Sequence, residues 1–154
     1  YCESYIGQQF VTATRRVTFD NFAGAWKIEL PYPPLQSVTS VVYTDVSGSS
    51  TTLGTSNYTV DTYSMPGFIE PAYTNVWPQT RTISNAVTIV YVCGYGAASA
   101  VPDAVKAAMK LLIGHWYENR EAVGQASGPL EMSVDALLTS VWHGSRYLAG
   151  VDCQ

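Results

Sequence analysis

The chain has 154 residues, of which 47% are apolar and 13% charged, with a net charge of −4. The apolar share excludes a disordered chain, and the length suits one domain with a core, here read as spanning 1–154, and is marginal for two. The acidic balance excludes a nucleic-acid binder that meets phosphates with a basic face. Charged residues stand at about half their usual share, so much of the surface must be neutral Ser, Thr, Asn, Gln and Tyr. Eleven tyrosines and four tryptophans favour contact with other proteins, since large amphipathic rings concentrate in interface cores.

"YCESYIGQQF" reads as the last turns of a helix, with Gly7 where a C-terminal cap belongs. The start on Tyr1 without Met raises the expectation that residues before this point are missing or were removed. From about 10 to 95 the pattern is that of strands. "FVTATRRVTF" alternates over 10–19 with β-branched residues. "AWKIEL" sets Trp26, Ile28 and Leu30 on one face, and the prolines at 31, 33 and 34 end it. "SVTSVVYTDVSGSSTTL" is a strand, a turn around Ser47-Gly48 and a returning strand. "NYTVDTY" and "FIEPAY" follow, separated by a Pro66-Gly67 turn. In "NAVTIVYVCGYG" both faces are apolar, which predicts a central strand covered on both sides.

After "GYGAASA" the period changes. Pro102 suits a first helical position and Asp103 the positive end of a helix dipole. Val105, Met109, Leu112 and Trp116 form a helical stripe that predicts a long helix over about 102–122, with Trp116 in the core. "GQASGP" at 124–129 reads as a loop. A shorter helix over about 132–143 carries Val134, Leu137, Leu138, Val141 and Trp142, with Ser133 as its cap. A tail at about 144–154 closes the chain. The fold class is α+β with segregated elements.

The polar stretch "HWYENREA" invites a catalytic reading. His115 and Glu118 lie three apart on one helix side, yet metal sites need more ligands, and His143 has no carboxylate near it in sequence. Glu118 and Glu121 share one helix, whereas paired catalytic carboxylates face each other across a substrate. No G-x-S-x-G elbow announces a nucleophile, although a Ser–His–Asp set would come together only in the fold. "CGYGAASA" has two glycines of a dinucleotide fingerprint but lacks the third and the parallel βαβ setting, so a tight strand-to-helix turn is the better reading. Cys2, Cys93 and Cys153 are odd in number and widely spaced, which fits synthesis in a reducing cytoplasm rather than a disulfide framework or zinc site. No catalytic residue, cofactor or metal ligand is assigned. No apolar run is long enough to span a membrane, and no signal peptide is visible. What remains is surface chemistry for assembly: Tyr117, Asn119, Arg120 and Glu121 point away from the stripe and are the candidate subunit-interface residues.

"LPYPPLQSVTSVVYTDVSG", "YTVDTYSMPGFIEPAY", "VWPQTR", "NAVTIVYVCGYG", "VPDAVKAAMKLLIGHWYENREAV" and "VDALL" occur in that order. Together, over roughly 1–142, they resemble the head–tail connector (adaptor) proteins of tailed bacteriophages, also encoded in prophages and gene transfer agents. The resemblance implies a helical core, made of the N-terminal helix end and the two later helices, with an antiparallel β-rich insertion at about 10–95. It implies a structural protein, not an enzyme, that forms a ring, commonly a dodecamer, in the virion neck. Portal-binding on one side and a stopper or tail-completion protein on the other are expected, with a channel through which DNA passes during ejection without sequence-specific contact. Members carry a further helical segment before the part matching "YCESYIGQQF". In related adaptors the C-terminal segment reaches the portal, which makes Arg146, Tyr147 and Leu148 the candidate portal-contacting residues. Synthesis would be in the bacterial host cytoplasm. A carbohydrate- or receptor-binding β module of a virion is the alternative reading, and a hydrolase using His115 or Glu118 a distant third.

Overall fold

The computed structural model describes residues 1–22, 26–118 and 128–141. In chain order the elements are α1 (Cys2–Ile6), β1 (Ala13–Phe19), β2 (Ile28–Glu29), β3 (Leu35–Thr44), β4 (Ser50–Thr52), β5 (Tyr58–Asp61), β6 (Phe68–Pro71), β7 (Val87–Cys93), α2 (Asp103–Glu118) and α3 (Gly128–Thr139). One short helix, then antiparallel sheets, then two longer helices give the mixed α and β content expected of an α+β fold.

Four strands form one antiparallel sheet in the order β1-β7-β3-β4, so β7 lies inside it, paired on both edges. Register sets Val17, Ile89 and Val41 in one cross-strand row, and all three are fully buried. A second sheet, β2-β6-β5, contributes Ile28, Ile69 and Tyr58 to the same buried cluster. The coverage of β7 is one-sided, contrary to expectation. Val87, Ile89, Tyr91 and Cys93 are wholly buried, whereas Thr88, Val90 and Val92 are only half-buried. Among the described residues the second sheet packs on the inner face, and the β-branched residues of the outer face fit the pleat. Two register shifts in β3, between Leu35 and Ser37 and between Val38 and Ser40, leave Gln36 and Thr39 as exposed extra residues. Such bulges increase local twist.

Trp26 also departs from expectation. Ile28 and Leu30 enter the core as the alternation requires, but Trp26 stays 73% exposed. Strand β2 is only Ile28–Glu29, so the pleat that would have carried Trp26 inward does not extend to it.

The helical elements bury a separate cluster built from Ile6, Phe10, Val105, Ala108, Val134 and Leu138. Gly7 caps α1 in the left-handed conformation, with φ 67° and its N–H donated to Glu3 O, as its place in the sequence requires. Helix α2 begins at Asp103, and Pro102 O accepts the N–H groups of Val105 and Lys106 at 3.1 and 3.2 Å. Its described part ends at Glu118, so the expected stretch 119–122 lies outside the described residues. Helix α3 starts at Gly128, four residues before the expected 132. Residues 128 and 129 therefore belong to the helix and not to a loop, and Ser133 sits inside it instead of capping it. A proline is compatible with a first helical turn, where its missing N–H costs nothing. Val134, Leu138 and Val141 form its buried stripe, with Leu137 half-buried. Residues 142 and 143 and the tail from 144 lie outside the described residues.

Polar contacts join the two clusters. Glu3 Oε1 accepts the Gln9 side-chain amide and the Phe10 N–H, both at 2.8 Å. Gln9 Oε1 accepts from Arg15 Nε and Nη2 at 2.9 and 2.7 Å. The Arg15 guanidinium lies 4.1 Å over the Tyr32 ring. Gln8, 1% exposed, accepts from the Tyr95 hydroxyl at 3.3 Å and donates to Val141 O at 3.4 Å. Between β7 and α2 the chain turns at Gly94, with φ 116° and its N–H donated to Pro34 O at 2.9 Å. "CGYG" is the tight turn anticipated, with glycine used for its backbone freedom.

Candidate functional site

Helix α2 puts its first half into the helical cluster and its second half at the surface. Val105 and Ala108 are fully buried, and Met109 and Leu112 pack partly against the cluster. Trp116 is 52% exposed, which corrects its expected place in the core. Helix α2 packs chiefly on α3, and that contact buries Val105 and Ala108 with Val134 and Leu138 while Trp116 stands outside it. The Tyr1 ring meets Trp116 edge-on with ring centroids 5.9 Å apart, and Tyr1 in turn stacks on Tyr5. Between α1 and α2 an open apolar groove of about 350 Å³ is lined by Tyr1, Phe10, Met109, Leu112, Ile113 and Trp116.

Of the residues expected at a subunit interface, Tyr117 is 70% exposed on α2. Asn119, Arg120 and Glu121 lie outside the described residues, as do Arg146, Tyr147 and Leu148. Ile113, 63% exposed, lies one turn before Tyr117 on the same side and was not singled out by sequence. His115 is half-buried and Glu118 exposed. Among the described residues no three metal-binding side chains cluster.

A second concavity, of about 670 Å³, lies on the β side. Its base is the Phe22–Trp77 stack, with ring centroids 4.8 Å apart and planes within 2° of parallel. Trp26, Val76 and Pro78 also line it, and Asn21, Asn75, Gln79 and Thr80 complete its polar margin. Among the described residues none that lines it is ionisable. Sequence reasoning missed this groove, because its walls come from two distant segments, Asn21, Phe22 and Trp26 on one side and Pro71 and 75–80 on the other. The only signal was the apolar, proline-punctuated "VWPQ".

The titrating groups that depart from their usual range sit elsewhere. The Ser47 hydroxyl at 2.5 Å, followed by the Ser49 N–H at 2.9 Å, holds the Asp45 carboxyl below the ordinary carboxylate range. The Ser64 hydroxyl and the Tyr63 N–H do the same for Asp61. Both are turn carboxylates closing hairpins, the ordinary work of Asp there. Burial pushes the Tyr58 and Tyr95 hydroxyls up.

What the two exposed apolar surfaces offer is contact area without charge, and the whole-chain architecture has known counterparts. The fold is shared with chains of a gene transfer agent neck. Against a chain of the neck of a native gene transfer agent particle, computed with C12 symmetry, the TM-score is 0.75 at 23% identity, covering 97% of this chain and 79% of the other. The neck of an empty particle, computed with C6 symmetry, gives 0.75 at 22% identity over 97% of this chain and 74% of the other. A chain of the native gene transfer agent virion matches equally well, at 0.75 and 23% identity. No family model and no curated protein matches the sequence. The fold likeness agrees with the connector resemblance seen in the sequence. Among the described residues no helix is long and apolar enough to cross a membrane.

Proposed function

We propose that this chain is a structural connector (adaptor) in the neck of a tailed-phage or gene-transfer-agent virion. In this reading copies form a ring, of twelve, between portal and tail, and leave a channel for DNA passage and ejection. The single observation that carries it is the likeness, over 97% of the chain, to chains of a gene transfer agent neck. The C12 symmetry applied to that neck supports the twelvefold count. The chain acts as one connector domain: its helices are the core and the β-rich part an insertion into it. The role involves no turnover and no cofactor. The portal is the partner on one side, with Arg146, Tyr147 and Leu148 of the tail reaching it, and a stopper or tail-completion protein is the partner on the other. Tyr117, Asn119, Arg120 and Glu121 face a neighbouring copy. The low charge supports this arrangement, since large areas can be buried without desolvating many ions. A net negative ring also repels phosphates, so DNA slides without sticking.

The test is assembly with the cognate portal. Sedimentation of the mixture should show a complex carrying twelve 16.7 kDa copies per portal ring. Protein that stays monomeric and unbound beside an intact portal ring refutes the reading. The uncharged β-side groove with its exposed Trp26 is the one feature that favours the alternative, a carbohydrate-binding module. Saturable binding on a glycan array, lost in Trp26→Ala, would favour that alternative.

A further inference from the structure

We draw no further inference here: the strongest candidate, the β-side groove over the Phe22–Trp77 stack with Trp26 and Val76 exposed at its sides, carries nothing because nothing in the structure shows what covers it.

Discussion

Replacing Gly94 with Ala tests whether the turn between β7 and α2 is the rigid joint it looks like. Gly94 has φ 116°, a conformation that costs an L-residue about 1–2 kcal/mol. A Cβ there would lie 2.7 Å from Val11 O, 2.8 Å from Val11 C and 2.9 Å from Thr12 N. These are backbone atoms and cannot swing aside. Thr12 N–H is held by Gly96 O, and Phe10 O by the Tyr95 N–H, both at 2.9 Å. Forcing such a contact costs a further ~1–3 kcal/mol. The expected loss is therefore about 2–5 kcal/mol, a large part of a domain's usual margin. At this length that lowers the melting temperature by roughly 6–16 °C. Urea unfolding followed by circular dichroism measures it, with Gly7→Ala as the control. Gly7 also has positive φ, at 67°, but its Cβ would meet nothing within 4 Å, so only the backbone cost of about 1 kcal/mol applies. If Gly94→Ala costs no more than Gly7→Ala, the close approach of the turn to residues 11 and 12 is wrong.

Tyr91→Phe should destabilise by about 1–2 kcal/mol in the same assay, because the buried hydroxyl donates to Pro31 O at 2.8 Å and its loss strands that carbonyl; a neutral result would show that water or another donor replaces it. Asp45 has its carboxyl lowered chiefly by the Ser47 hydroxyl, so its contribution to stability is complete above the ordinary Asp range and is lost as pH falls through the lower folded value. An NMR titration should find Asp45 ionised below its usual pH and shifted up toward the ordinary range in Ser47→Ala, and no movement in Ser47→Ala would refute the assigned cause.

Much of the fold is legible locally. Alternation located the strands because successive side chains point to opposite faces. Positions such as Gly7, Gly48 and Gly94 marked turns because few other residues adopt positive φ. The helical stripe of α2 was legible through Leu112. Its continuation to Trp116 looked the same in sequence, and only the tertiary packing of α2, chiefly on α3, left that ring at the surface. Of the expected interface residues, Tyr117 lies exposed on α2, while the others fall outside the described residues.

Local patterns in the sequence by themselves determined which segments pair as strands and coil as helices, and that the protein would carry little charge. The tertiary structure alone decided which apolar residues are covered. It set β7 between β1 and β3, pairings that join residues more than forty positions apart. It left Trp26 outside a core that Ile28 and Leu30 enter, because β2 is too short to carry it in. It also brought Phe22 onto Trp77, making a groove from segments separated by some fifty residues. Burial depends on what lies opposite a side chain, and no local pattern records that.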